Sequence, residues 1–434
     1  MPYAPAASAL PPTHETRLTS DSSNVGDYSI ATPESSIDNC DDWPCWRGSD
    51  GNNHSQDSQT PVEWSVDRNI AWKVAVPGRG HASPCIVDDK IFLASADEAT
   101  RKQFLLCYSR QHGELMWRVD LHRSELPHIH ANNSHASSTP ACDGDAVYVV
   151  FASGEELIVS AVAIDGRIRW QRPVGGYQHA NGYGASPVLF GQLVIVASDN
   201  QLEPSIVALD RIDGRIVWST KRPKSDNSAT PIVAMVSGRP QLLINGAGTV
   251  TSYDPIRGDE IWQVLHKTEV AACTVAFDEE NVYASGNVPE KLMLCVRGDG
   301  RGDVTESHVL WHDNQRVTYV PSPLLLRRHL FIVADSGTAY CRDANSGIVV
   351  WKKRLGGNFF ASPVLAGGNV YATSEMGVTH VFRAGPEFER VAENDLGETC
   401  LATPVICGGR IFLRTIAHLY CIGPSNKDAK PQLE

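Results

Sequence analysis

The 434-residue sequence predicts an all-β fold, an eight-bladed β-propeller, on three observations. A small residue followed by Pro and an apolar run recurs at Ser83-Pro84, Thr139-Pro140, Ser186-Pro187, Thr230-Pro231, Ser322-Pro323, Ser362-Pro363 and Thr403-Pro404, with Thr274-Val275 in the remaining slot. Pro84 to Pro404 spans 320 residues in seven intervals, about 46 each, the length of one four-stranded blade. Between the marks, β-branched and aromatic runs such as Lys90-Ile91-Phe92-Leu93 and Leu193-Val194-Ile195-Val196 alternate with Gly and Asp turns, which favours strands over helix pairs. Finally, the eighth unit holds only three such runs, Leu401 to Cys407, Arg410 to Thr415 and His418 to Ile422, while Asn69 to Val76 is a spare strand ahead of the first unit. The N-terminal strand is therefore predicted to complete the last blade and close the ring.

Taken in chain order, Pro, Ser and Thr make up sixteen of the first 39 residues without apolar periodicity. Residues 1–40 are read as a disordered segment, 41–424 as the propeller and 425–434 as a flexible tail. Within each unit the Ser/Thr-Pro mark should open the innermost strand, an edge of its sheet where a missing N–H removes no ladder bond. The tails of five units share a Gly four residues before a Trp: Gly113 and Trp117, Gly166 and Trp170, Gly214 and Trp218, Gly258 and Trp262, Gly347 and Trp351. The Gly supplies the positive φ of a hairpin turn. The Trp wedges between blades above a small residue on the preceding strand: Cys107, Ala163, Ala208, Ser252 or Cys341. With the matching positions in other units, the predicted structural docking set is Trp72, Trp117, Trp170, Trp218, Trp262, Trp311 and Trp351.

Composition bounds the function. With 42% hydrophobic and 20% charged residues, collagen, coiled coil and full disorder are excluded. The net charge of −12 offers no field for a phosphate backbone, so nucleic acid is not an expected partner. No apolar run reaches membrane-spanning length. The N-terminus shows neither a signal-peptide pattern nor, at Ile37-Asp38-Asn39-Cys40, a lipobox, so the chain as it stands reads as cytoplasmic. The eleven cysteines include no CxxC pair. Cys107, Cys295, Cys341 and Cys421 fall near the small-residue site and read as buried hydrophobes. Cys40 and Cys45 are placed outside the ring, where a disulfide would need an oxidising compartment.

Loop lengths locate the candidate face. Twenty-three residues separate Trp117 from Pro140 and 17 separate Trp170 from Pro187, against 12 or 13 after the other docking tryptophans. The longest connection carries His128, His130 and His135, and His81, His179, Asn181 and Tyr183 precede neighbouring inner strands. These seven are read as a ligand or partner face. H-x-H-x4-H is not a tight zinc ligand set, so no metal is assigned, and no catalytic residue is assigned. The turns Asp97 to Gln103 and Asp199 to Ser205 are enlarged on the same face. On the opposite face Arg297 to Asp303 replaces a short turn, and both it and Asp50-Gly51-Asn52-Asn53 are read as polar turns, not ion sites.

The repeats with their Trp resemble the PQQ-like repeat family of quinoprotein-type eight-bladed propellers over roughly Trp43 to Gly423. Trp43-Pro44-Cys45-Trp46-Arg47-Gly48, Pro77 to Pro84 and Gly302 to Trp311 resemble its planctomycete-type bacterial branch. WD40 repeats are a poorer match because no Trp-Asp dipeptide ends the units. The resemblance implies two functions: quinoprotein dehydrogenases with pyrroloquinoline quinone and calcium, or scaffolds like the lipoprotein of the outer-membrane β-barrel assembly machinery, and it implies the periplasm or cell envelope. Fold does not choose between them. The dehydrogenase branch implies two adjacent cysteines over the quinone, and this chain has none. The expectation is thus a non-catalytic binding or scaffold propeller without a cofactor, monomeric, engaging another protein or a small ligand through the loops of blades one to three. A pyrroloquinoline quinone oxidoreductase with calcium is the alternative, and an enzyme using the mouth histidines as acid or base the third reading.

Overall fold

The computed structural model describes residues 41–424. The predicted disordered segment 1–40, with Cys40, and the tail 425–434 lie outside the described residues. Among the described residues the protein is nearly all β, with one four-residue helix, Thr305–His308, and its sheets form an eight-bladed propeller.

Each inner strand begins directly behind its Ser/Thr mark: Cys85–Val87, Ala141–Cys142, Val188–Phe190, Ile232–Val236, Ala276–Phe277, Leu324–Leu326, Val364–Ala366 and Val405–Cys407. Each is the first strand of its antiparallel sheet. The eighth sheet takes its fourth strand from Ile70–Ala75, which pairs with His418–Ile422 in a register that sets Trp72 opposite Cys421.

Why the mark is Ser or Thr, and not merely small, is a hydrogen-bond relay around the axis. The Ser83 N–H donates to Thr139 Oγ1 (3.0 Å), Thr139 to Ser186 (3.0 Å) and Ser186 to Thr230 (3.0 Å). Thr274 then donates to Ser322 (3.0 Å), Ser322 to Ser362 (2.9 Å) and Ser362 to Thr403 (2.9 Å). At these six junctions one blade satisfies a buried backbone donor of its neighbour, as burial requires.

The outer edge is tied by tryptophan. Trp72, Trp117, Trp170, Trp218, Trp311 and Trp351 each donate Nε1–H to a carbonyl in the last turn of the following blade, at Arg110, Ile164, Arg211, Pro255, Ala344 and Gly385. Trp262 differs. Its Nε1–H goes to Gln241 Oε1 in its own blade (2.7 Å), because the Arg297 to Asp303 insertion takes the place of the receiving turn and adds Gly302–Asp303 as a parallel strand beside Trp262. That insertion is fastened by Arg239 to the Gly298 and Gly300 carbonyls, while Asp299 meets Arg297 and His308, and Asp303 accepts from Thr305. Beneath the tryptophans, Cys107, Cys295, Cys341 and Cys421 stand opposite Trp117, Trp311, Trp351 and Trp72. Burial pushes the first three thiols up to about 12 and Cys421 to about 11.

The turn glycine does more than supply positive φ. A Cβ on Gly214 (φ 71°) would lie 2.5 Å from the Trp170 ring of the preceding blade, whereas one on Gly191 (φ 53°) would meet nothing within 4 Å. Gly214→Ala is therefore expected to destabilise by about 2 kcal/mol or more, and Gly191→Ala by about 1 kcal/mol, the backbone share alone. Equal losses in urea unfolding would show that the Trp approach does not matter.

Residues 42–64 form a strap across the face that carries the turns between first and second strands. Trp43 exchanges backbone hydrogen bonds with Ile86 in blade one, and the Pro44 carbonyl accepts from Cys142 N–H in blade two (2.8 Å). Two residues later Trp46 Nε1–H reaches Thr274 Oγ1 in blade five (2.9 Å) and Arg47 Nη2 reaches the Pro323 carbonyl in blade six (3.0 Å). Blades one and five are diametrically opposed in a ring of eight, so the chain crosses the axis between Pro44 and Arg47. Asn53 donates to the Pro363 carbonyl (3.1 Å), Asp57 accepts from Gly409 N–H (3.0 Å), and buried Trp64 stacks on Tyr371. Cys45, expected outside the ring, sits on this crossing with its thiol toward the Gly48 carbonyl. The aromatic-rich run after a polar leader belongs to the closure of the channel. Asp50 accepts from Asn52 N–H and pairs with His54, forming the expected polar turn.

Candidate functional site

The face opposite the strap carries the long connections, and short-range hydrogen bonds hold them. The connection after strand Leu115–Arg123 is fastened by Gln103, whose amide donates to the His135 and Ala152 carbonyls. Arg79 donates to the Ala131 and Asn133 carbonyls. Asn181 joins this connection to the next: its carbonyl accepts from Asn133 Nδ2 (2.7 Å) and from His130 N–H (3.2 Å).

The seven predicted residues occupy four separate settings. His135 and exposed His128 line an open groove of about 360 Å³ with Glu98, Arg101, Glu125 and Ile129. The His135 ring lies between Glu98 Oε1 (3.3 Å) and the Pro127 carbonyl (3.0 Å). His130 is exposed and its Nδ1 accepts from Asn132 N–H. His179 is buried, stacked on Tyr177 at 5.8 Å and 8°. Its Nδ1 accepts from Asn181 N–H (3.0 Å), so Nε2 carries the proton toward the Asn227 carbonyl (3.3 Å). Tyr183 meets Tyr177 edge-on and donates to the Ala197 carbonyl. His81 sits apart, held through its backbone to Ala136, its Nε2 buried without a partner; burial lowers its pKa to about 3.

Other acids on this face already serve the chain's own donors. Asp335 accepts from Tyr319 and Val320 N–H (2.8 and 2.9 Å), and burial raises its pKa. Asp226 accepts from Ala180 N–H and Gln201 Nε2. Among the described residues no group of three His, Cys, Asp or Glu side chains is gathered to hold a metal. No two cysteines adjoin in the sequence, and Trp46 and Arg47 cross the axis of the ring.

Sequence reasoning missed the strap and a buried ion pair, Arg222 with Asp199. Asp199 was seen only as part of an enlarged turn, and nothing local in the sequence announces an arginine partner 23 positions away.

A sequence profile for the family described as Outer membrane protein assembly factor BamB matches residues 55–181, 101–306 and 303–385. Outer membrane protein assembly factor BamB of Yersinia pestis is 19% identical over 328 residues, 73% of this chain and 78% of that protein. The protein of the same name from Francisella salina is 26% identical over 176 residues, 40% of this chain and 31% of that protein. Among solved structures, BamB from Moraxella catarrhalis matches with a TM-score of 0.57 at 14% identity, covering 81% of this chain and 99% of the other. The computationally designed Ika8 protein gives 0.60 at 12% identity, with 80% and 98% covered. A europium-containing methanol dehydrogenase gives 0.54 at 10%, with 88% and 91% covered. At these identities the solved structures show the propeller fold alone, shared by BamB, a designed protein and a methanol dehydrogenase.

Proposed function

We propose that this chain, which belongs to the family of outer membrane protein assembly factor BamB with its PQQ-like repeats, is a non-catalytic scaffold that binds another protein through the connections of blades one to three. The observation that carries the reading is the asymmetry of the two faces. One is crossed by the strap, while the other raises the 124–140 connection and its groove, lined by Glu98, Arg101, Glu125, His128, Ile129 and His135. A shallow, open groove with charges of both signs beside Leu126, Pro127 and Ile129 suits a polypeptide segment better than a small substrate. The relatives named outer membrane protein assembly factors support an envelope protein as the partner and the periplasm as the working compartment. No helix of the described residues is long and apolar enough to cross a membrane.

Photo-crosslinking in cells of origin tests this. A photoreactive residue at His128 is expected to give a defined protein adduct, and one at Ile212 on the strap-side rim is expected to give none. Adducts from Ile212 alone would move the site to the other face. Saturable binding of pyrroloquinoline quinone with calcium in calorimetry, with dye reduction, would replace the scaffold reading by the oxidoreductase one.

A further inference from the structure

Arg47 is the charged side chain that the strap carries across the ring axis. It is 1% exposed. Its Nε donates to the Gly51 carbonyl (2.8 Å) and its Nη2 to the Pro323 carbonyl (3.0 Å), while Nη1 is buried without a partner. Among the described residues no carboxylate pairs with it: Asp50, four positions on, accepts from Asn52 N–H (2.8 Å) and meets His54 Nδ1 (2.8 Å) instead. Burial lowers the guanidinium pKa only to about 10, so it stays charged at neutral pH. A buried cation without a counter-charge is a costly arrangement.

The surroundings supply further donors. Pro323 directly follows Ser322, and Trp46 binds Thr274, so the guanidinium lies beside the inner hydroxyl ring. Of the two ring hydroxyls nearest the strap arginine, Ser322 Oγ accepts the Thr274 N–H and Thr274 Oγ1 accepts the Trp46 indole N–H, and each keeps its own hydrogen to give. The two unpartnered N–H groups of Arg47 Nη1, with nearby O–H groups, suit a small singly charged ion. A phosphate or sulfate would need several more N–H groups to balance its charge.

We propose that Arg47 and the adjacent hydroxyls of the inner ring hold a small inorganic anion of the halide class on the propeller axis. The site is independent of the partner face and sets the charge balance of the channel floor. It also gives a physical reason for an arginine in a segment otherwise occupied by aromatic and small residues.

The test uses the full chain crystallised in sodium bromide, with diffraction at the bromine edge. The expected result is an anomalous peak in contact with Arg47 Nη1. A water there, or a carboxylate from residues 1–40, with no bromide would overturn the proposal. In solution, thermal unfolding at fixed ionic strength is compared in chloride and in gluconate. Well above the dissociation constant each tenfold rise in chloride should raise the folded-to-unfolded ratio about tenfold. Arg47→Met should abolish that saturable part, whereas an unchanged chloride response in the variant would also overturn the proposal. Should Arg47→Met not fold, the bromide map of the unaltered protein decides.

Discussion

Asp199→Ala is expected to cost about 3–5 kcal/mol of folding stability, because it leaves a guanidinium buried with its partner gone. The Arg222 side chain is wholly inaccessible and that of Asp199 is 2% exposed. The pair is bidentate, Nε to Oδ1 at 2.6 Å and Nη2 to Oδ2 at 3.1 Å, and the carboxylate holds the Arg222 pKa above its usual value. Further bonds spread the pair over two blades and a connection. Arg222 Nη1 donates to the Tyr253 hydroxyl (3.0 Å), and Asn227 Nδ2 donates to Asp199 Oδ2 (2.8 Å) and the Asn245 carbonyl (3.0 Å). Asn227 Oδ1 accepts from Ala271 N–H (2.9 Å). The backbone closes on this amide so tightly that a Cβ at Gly246 (φ 115°) would lie 2.0 Å from Asn227 Oδ1. Removing both charges as Asp199→Leu with Arg222→Met should cost less than removing either one, since no unpaired ion then remains. A double-mutant cycle by urea unfolding measures the difference as a coupling energy. Strict additivity of the two single losses would mean that the charges are not coupled.

This pair marks where the sequence stops being readable. The ring itself was legible because its signals are local and repeated: a Ser/Thr-Pro mark opens each inner strand except Thr274-Val275, and Gly214 anticipates the turn that receives Trp170. The surplus strand Asn69 to Val76 was legible by counting, since the eighth unit lacked one. The reason for Ser or Thr at the mark was not, because the acceptor role of Thr139 toward Ser83 exists only once two units 56 positions apart meet. The strap was hidden for the same reason. Trp43, Trp46 and Arg47 find their partners at Ile86, Thr274 and Pro323, separations that no periodicity encodes. Of the predicted face, the clustering of His128 and His135 followed from loop length, but the burial of His179 on Tyr177 and of the His81 Nε2 away from both did not. A histidine in a loop looks the same in sequence whether it faces water or the core.

Half-buried imidazoles make acid the condition under which the fold should fail. Burial lowers His81 to about 3, and His122 and His266 to about 4. Neighbours reinforce or leave this intact: Arg79 and Arg414 repel a proton from His81, His122 meets Ser160 Oγ and the Phe151 edge, and His266 Nδ1 already accepts from Thr268 N–H. In the unfolded chain each would titrate near 6.5. Between pH 6.5 and 4 the unfolded state therefore binds more protons than the folded one, so stability rises with pH across that window and is lost as pH falls through it. At pH 5 each ring contributes a loss of about 2 kcal/mol relative to pH 7, about 6 kcal/mol for the three before allowance for partial exposure. Carboxylates enter later. Glu398, bound by Lys73, Tyr420, Thr415 and His418, and Asp313, bound by Arg342 and Arg316, are both lowered to about 2, so their share is lost only below about pH 4.5. Urea unfolding at pH 7.5, 6.5, 5.5 and 5.0 should show a steepening loss with an uptake of up to three protons. His122→Phe keeps the ring volume and removes one titrating group, so it should flatten the profile by about a third. A stability that stays level from pH 7 to pH 5 would mean that these rings take up protons without unfolding, and that water reaches them through the face opposite the strap.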